Sequence, residues 1–162
     1  MLTAKLLELI ETHADTLARE VLKDFSTNSR MPSFQKIARN DLEARIAATY
    51  RNLGTWIQSS GDEAVRGEYE VWGRKRFREG VLISELVYAI ILIKQHLRRF
   101  IRNRGAEDFS GDPRAADLIG VQLHEVQELN YRIGEFFDRA LYYLVRGYEA
   151  EALASENVSP TG

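Results

Sequence analysis

Apolar residues recur every three or four positions along most of this chain, which is the spacing of one face of an α-helix. The pattern predicts five main helices, at about 6–25, 42–57, 63–77, 82–104 and 113–154. No segment shows the strict alternation of apolar and polar residues that marks a half-buried strand. We therefore predict an all-α fold of one domain, arranged either like a globin or as a helical bundle.

The fourth predicted helix contains eight consecutive apolar residues, at positions 86–93. A surface helix keeps one polar face, whereas a helix that is apolar on all sides must be buried. We therefore expect this helix at the centre of the domain. Gly80 lies just before it and predicts the end of the third helix, because glycine adopts the left-handed conformation at little cost.

Two short motifs predict helix starts. Asn40 with Glu43, and Ser60 with Glu63, each place a capping side chain three residues before a glutamate. In such a capping box the two side chains satisfy backbone N–H groups that have no partner inside the helix. We expect the second and third helices to begin at these motifs.

The last predicted helix is unusually long. Asp112 and Pro113 predict its start, after a loop at 105–111. If unbroken to residue 154 it would extend about 60 Å, far more than the radius of gyration of roughly 15 Å expected for a domain of this size. It should therefore bend, with Gly120 or Gly134 as candidates, or project from the body. We assign residues 1–154 to the helical domain and 155–162 to a flexible tail or linker.

Composition favours a soluble globular protein. Of the 162 residues, 44% are hydrophobic and 28% are charged, and the net charge of −2 gives no general attraction to nucleic acid or anionic lipid. The longest apolar region, 81–93, is shorter than the roughly 20 residues of a transmembrane helix. The N-terminus lacks the uninterrupted apolar stretch of a secretory signal. We expect a cytoplasmic protein without nucleic-acid or membrane partners.

No residue pattern predicts catalysis or a metal site. His13, His96 and His124 fall on three different predicted helices, and none belongs to a zinc-binding pair. The chain has no cysteine, and it lacks a phosphate-binding glycine loop and paired catalytic carboxylates. We therefore expect no catalytic residues, enzymatic activity, metal or cofactor. One alternative stays open, because an all-helical chain of this length needs a single axial histidine, here His96, to bind haem as a globin does.

A candidate ligand pocket lies between the third and fourth predicted helices. Tyr69, Trp72, Arg76 and Tyr88 should meet there, because a tight turn makes the two helices antiparallel neighbours. Gly73 would either leave space beside Trp72 or allow another helix to approach closely. Aromatic rings beside an arginine suit a small anionic or planar ligand.

The long last helix is the candidate dimer interface. Its apolar positions advance in steps of three and four, and Asn130 occupies one of them. A single buried asparagine in such a seam fixes register and oligomeric state. We predict a homodimer through the face formed by Asn130, Ile133, Phe137, Leu141, Leu144 and Tyr148.

Two segments carry a resemblance to a known family. Residues 73–101 combine a charged helix, a Glu-Gly turn and an Ile-Ser-Glu-Leu start to a long aliphatic helix, and residues 133–149 read IGEFFDRALYYLVRGYE. Both resemble the RsbRD-type N-terminal domain of stressosome RsbT co-antagonists, which is also found ahead of histidine kinases. The resemblance spans about residues 5–150.

The resemblance implies a helical, dimeric input domain upstream of a kinase or STAS output module. Related input domains have a globin-like fold without haem. No phosphorylatable STAS serine or threonine can be assigned in this chain, so we expect the output module to be lost or separately encoded. On this basis we expect a non-catalytic sensory or regulatory domain of a bacterial signalling protein, which signals through its last helix and has an unidentified small molecule as a further potential partner.

Overall fold

The computed structural model describes residues 2–58, 62–108 and 115–158. Within these ranges the chain forms seven α-helices and no strand: α1 (Leu2–Thr12), α2 (Ala14–Thr27), α3 (Arg39–Arg51), α4 (Leu53–Gln58), α5 (Glu63–Arg78), α6 (Ile83–Asp108) and α7 (Ala115–Val158). One short 3₁₀ helix, Pro32–Lys36, joins α2 to α3. The all-α prediction is confirmed.

Two of the predicted helices are each interrupted once. The first divides into α1 and α2 at His13, where φ is −98° and ψ is 13°, and the second divides into α3 and α4 at Asn52, where ψ is 2°. At both breaks the side chain donates a hydrogen bond to the carbonyl oxygen four residues earlier, from His13 Nδ1 to Leu9 and from Asn52 Nδ2 to Ala48. Such local bonds compete with the regular helix and favour a change of direction.

The capping box predicted at Asn40 is not formed. Helix α3 begins at Arg39, one residue before Asn40, and its first turn has no side-chain cap. Ser60 lies outside the described residues, and Asp62 before α5 makes no capping bond. Instead the Asp62 carboxylate accepts hydrogen bonds from Arg139 Nη1 at 2.8 Å and Tyr143 Oη at 3.0 Å. A charged partner on α7 therefore replaces the local cap.

The predicted helix end at Gly80 is confirmed. Gly80 has φ of 76°, in the left-handed region, and it is the sole positive φ among the described residues. Its N–H donates to the carbonyl of Phe77, and the N–H of Val81 donates to the carbonyl of Arg76. These two bonds form a Schellman motif, which satisfies carbonyls at the C-terminus of α5.

Helix α6 is longer than predicted. It continues to Asp108, so residues 105–108 are helical where a loop was expected, while residues 109–111 and the Asp112-Pro113 motif lie outside the described residues. Its core face is buried, as shown by Leu86, Leu97 and Ile101, but Ile91 in the middle of the apolar run is 36% exposed. Helix α6 is therefore not enclosed on all sides.

Helix α7 runs through 44 residues without interruption, including Gly120 and Gly134. At 1.5 Å per residue it is about 66 Å long. Its fully buried positions lie between Leu129 and Gly147, and residues 153–158 are exposed. Residues 155–158 of the predicted tail thus belong to the helix. Within the described part of the chain, no helix has a stretch long and apolar enough to cross a bilayer.

A buried carboxylate links the 3₁₀ helix to the start of α6. Glu85 is 5% exposed, and it accepts hydrogen bonds from the backbone N–H of Ser33 at 2.8 Å and from the Ser33 hydroxyl. The Ser33 Oγ in turn accepts from the N–H of Leu82 at 3.1 Å. Ser33 therefore accepts from an N–H at the start of α6 from a distant segment, a role that the glutamate of a capping box usually performs locally.

Candidate functional site

Helices α5 and α7 cross with their backbones in direct contact. A Cβ atom added at Gly73 of α5 would overlap the carbonyl oxygen of Leu144 on α7, and one added at Gly147 of α7 would overlap the carbonyl of Glu70 on α5. Each glycine thus faces the backbone of the other helix. Glycine permits this approach because it has no side chain. Of the two roles open to Gly73, the structure assigns close helix approach.

Polar contacts flank this crossing on the side of the α5 C-terminus. Arg78 Nε donates to Glu151 Oε1 at 2.8 Å, and Arg74 lies 3.5 Å from the same carboxylate. The Tyr148 hydroxyl donates to the carbonyl of Val81 at 2.7 Å. The pKa of Glu151 is lowered, chiefly by the hydrogen bond from Arg78. These bonds fix the rotation of α7 relative to the α5–α6 turn.

The proposed pocket residues do not surround one space. Tyr69, Trp72 and Arg76 lie on the buried face of α5, but Gly73 is closed off by α7. Tyr88 points elsewhere, because its hydroxyl accepts a hydrogen bond from Asn28 at 3.2 Å. Its ring also lies 5.9 Å from the guanidinium carbon of Arg30. The structure therefore does not bring the five predicted residues together around one space.

Aromatic rings fill the region beside α5. The Tyr69 and Trp72 rings are 4.6 Å apart in an edge-to-face arrangement, and Trp56 stacks on Phe136 of α7 at 5.2 Å. The Tyr69 hydroxyl lies 3.3 Å from Thr49 Oγ1, and burial raises the pKa of Tyr69. This cluster is packed core, so it offers no opening for a planar ligand.

A small cavity does touch two of the predicted residues. Trp72 and Arg76 line a space of about 50 Å³, together with apolar side chains that include Phe25, Phe34, Leu42, Leu86, Ile90 and Leu144. A cavity of this size admits only a molecule of a few atoms. A planar organic ligand does not fit here.

The charge of Arg76 is already neutralised. Its Nη1 donates to Glu79 Oε2 at 2.6 Å and to Asp41 Oδ2 at 3.3 Å, and Lys75 Nζ donates to Asp41 at 2.9 Å. Burial acts to raise the pKa of Asp41, but the hydrogen bond from Lys75 and the charge of Arg76 outweigh it and leave that pKa below its ordinary value. Arg76 therefore has a structural role, because its bond to Asp41 links α5 to α3.

The predicted dimer face is buried inside the single chain. Ile133, Phe137 and Leu144 are at most 3% exposed and belong to the core. Leu141 packs against the same core, and Tyr148 is held by the bond to Val81 already described. Within the described residues, the buried Oδ1 of Asn130 has no hydrogen-bond partner. A second copy cannot use this face unless the domain opens.

The opposite face of α7 carries exposed apolar residues at regular spacing. Tyr131, Tyr142 and Leu153 are 64%, 55% and 61% exposed and follow one another at intervals of eleven residues. Eleven residues correspond to three helical turns, so the three side chains lie along one side of the helix. We call Tyr131, Tyr142 and Leu153 the outer stripe of α7.

The structure brings two of the three histidines together. His13 and His96 line one cleft between the start of α2 and the C-terminal half of α6, whereas His124 is exposed on α7. His96 Nε2 lies 2.9 Å from Asp24 Oδ2. Within the described residues, no three His, Cys, Asp or Glu side chains are grouped closely enough to hold a metal ion.

Comparison with protein families gives one match. The model of the RsbT co-antagonist protein RsbRD N-terminal domain matches residues 8–156, which is most of the chain. This chain belongs to the RsbRD N-terminal domain family. A search of curated proteins and a search of solved structures both found no match.

The family is one of regulatory co-antagonist domains, and it implies interaction with partner proteins. Three features of this RsbRD domain escaped the sequence analysis: the Gly147 contact, the Ser33–Glu85 bond and the histidine cleft. Each joins residues that are far apart in the chain and carries no local periodicity. Gly147 is the exception in principle, because a glycine inside a long helix is itself a sign of close packing.

The glycine crossing can be tested in the isolated RsbRD domain. We expect Gly73→Ala and Gly147→Ala each to lower the free energy of unfolding by more than about 3 kcal/mol, because the added methyl group must push two helix backbones apart. Gly67→Ala is the matched control on α5, where an added Cβ meets nothing within 4 Å. It should raise the free energy by up to about 1 kcal/mol, since alanine favours the helix.

Urea denaturation followed by circular dichroism measures all three variants. The interpretation would be wrong if Gly73→Ala and Gly147→Ala were as stable as Gly67→Ala.

Proposed function

We propose that this domain is a non-catalytic sensory input domain that transmits its signal through α7 to an output module. The observation that supports this most is the dual role of α7. The helix supplies much of the core between Leu129 and Gly147, and then continues without interruption into exposed turns that end at Val158. A change in how the core packs would therefore move the exposed end of the same helix.

The α5–α7 crossing is the proposed point of transmission. Closely packed elements shift between discrete arrangements more readily than they deform continuously. With no side chains between Gly73 and Gly147, a small slide of α5 acts directly on the α7 backbone. The polar contacts of Arg78 and Tyr148 then hold one arrangement in the state described here.

We further propose a homodimer formed through the outer stripe of α7. Its three apolar side chains are exposed and aligned, and two helices that meet along such a line can bury them together. The buried face of α7 stays in the core of each copy, so neither copy needs to unfold. In this arrangement both exposed C-terminal turns emerge side by side, as a dimeric output module requires.

The proposed output partner is a histidine kinase or a STAS module, and the proposed location is the cytoplasm. Membership of a family of RsbT co-antagonist domains supports a protein partner in signalling. Helix α7 offers the physical link, because its last residues are helical and exposed.

The dimer can be tested by light scattering after size exclusion. We expect a mass about twice 18.6 kDa for the unchanged chain, and a monomer for Tyr142→Arg, because a buried arginine without a partner is costly. Val71→Arg is the control, since Val71 is 58% exposed on α5 and lies off the stripe. A monomeric parent chain at high micromolar concentration, or a dimeric Tyr142→Arg, would contradict this interface.

Transmission can be tested in a fusion. Residues 1–158 are joined to the catalytic region of a histidine kinase, with zero to four alanines inserted after Val158. Since each residue turns a helix by about 100°, kinase output should rise and fall with a period of about 3.6 inserted residues. Four glycines inserted at the same point break the helix and should abolish the pattern. Equal output from all alanine insertions would contradict signalling through α7.

Haem binding by His96 is the rival function, and the geometry of His96 weighs against it. Its Nε2 lies 2.9 Å from Asp24 Oδ2. This hydrogen bond to a carboxylate occupies a nitrogen that haem iron would use. We expect that protein reconstituted with haem shows no Soret absorption that depends on His96. A Soret band that is lost in His96→Ala and kept in His124→Ala would favour the haem sensor instead.

A further inference from the structure

The cleft between α2 and α6 has the dimensions of a ligand site. Its volume is about 510 Å³, about ten times that of the cavity beside Trp72. Typical small-molecule sites measure roughly 300–1,000 Å³. Leu17 and Phe100 are the apolar residues of its lining, and the other lining side chains are polar or charged.

Each histidine of the cleft is held in one orientation by the protein. His13 Nδ1 lies 2.8 Å from the carbonyl oxygen of Leu9, which can only accept, so this nitrogen carries the hydrogen. His96 Nε2 donates in the same way to Asp24 Oδ2 at 2.9 Å. The second nitrogen of each ring is left without a partner among the described residues, and both rings line the same cleft. No function derived above uses this pair.

The charges around the cleft favour an anion over a cation. Among the described residues that line it are two guanidinium groups, Arg99 and Arg104, and one carboxylate, Glu20. Asp24 is engaged by His96. Two positive charges at the cleft repel a metal cation, whereas an anion would accept hydrogen bonds from Arg99.

Planar groups lie side by side in the cleft. The His13 and Phe100 ring centroids are 5.8 Å apart, and the guanidinium carbon of Arg104 lies 5.5 Å from the Phe100 ring. Aromatic and guanidinium faces provide good contacts for a flat ring. The volume also exceeds what a bare inorganic ion would fill.

We propose that this cleft binds a small phosphate monoester with a planar apolar body. Near neutral pH the phosphate group exchanges between singly and doubly charged forms, so it can donate a hydrogen bond to a neutral imidazole or accept one from an imidazolium. Arg99 supplies the opposite charge, and Thr16 and Asn103 add neutral hydrogen-bond donors. The proposed binding does not depend on the signalling function. The further step, in which the phosphate ester is the sensed signal, rests on the proposed function.

Histidine ring signals in NMR spectra report on the site directly. Phenyl phosphate is the probe, with inorganic phosphate for charge alone and benzyl alcohol for the ring alone. We expect millimolar phenyl phosphate to shift the signals of His13 and His96 but not those of His124, which is exposed on α7. Both comparison compounds should bind at least about tenfold more weakly, because each lacks one half of the interaction.

Two charge variants should change the affinity for phenyl phosphate in opposite directions. Arg99→Gln should weaken phenyl phosphate binding about tenfold, and Glu20→Gln should tighten it severalfold, because the first removes an attractive charge and the second a repulsive one. Arg102→Gln is the matched control: Arg102 is exposed on the same helix and does not line the cleft. All three positions are at the surface, so the variants should fold.

The proposal is overturned if phenyl phosphate leaves His13 and His96 unshifted, if benzyl alcohol binds equally well, or if Arg99→Gln and Arg102→Gln behave alike. If inorganic phosphate bound as tightly as phenyl phosphate, the inference that the ligand has a planar body would be overturned. Binding by NMR without any effect on the kinase fusion would support the site and count against the proposed sensory function instead.

Discussion

The backbone contact between α5 and α7 is the constraint on which the rest of the domain depends. Gly73 and Gly147 each leave room for the other helix, and this sets the distance between the helices. At that distance the Phe136 ring of α7 lies 6.1 Å from the Tyr69 ring of α5, and Tyr148 reaches the carbonyl of Val81 in the α5–α6 turn. A wider spacing would break these contacts together, so the aromatic core and the turn are specified by two residues without side chains.

Three acidic side chains at or near helix starts, Asp41, Asp62 and Glu85, bind partners that are distant in the sequence. Asp41 and Asp62 sit in the first turn of α3 and just before α5, where a carboxylate usually caps or favours the helix dipole. Both instead accept bonds from cations on other helices. Glu85 accepts hydrogen bonds from the backbone N–H and the hydroxyl of Ser33 in the 3₁₀ helix. Hydrogen bonds and ion pairs to distant residues therefore replace local helix caps, and they also hold neighbouring elements together.

The fold was predictable because helical periodicity and Gly80 depend on local sequence alone. The breaks at His13 and Asn52 were not, since they arise from single side-chain bonds within an otherwise regular pattern. The site residues were harder to predict from the sequence. Spacing placed Tyr69, Trp72 and Arg76 on one face correctly but could not say whether Gly73 opened a space or closed one. It also could not show that Ile133 and Phe137 would find their partners within one chain.

The spacing of the outer stripe has a further consequence for how two copies would wind around each other. Eleven residues in three turns give 3.67 residues per turn, slightly more than the 3.6 of a straight helix. A pair of α7 helices joined along this line would therefore coil gently to the right, whereas helices built on a seven-residue repeat coil to the left. If the output module continues α7 in a seven-residue repeat, the supercoil of the helix pair would change from right-handed to left-handed where the two repeats meet. Moving that meeting point along the helices would rotate the residues that follow it about the supercoil axis.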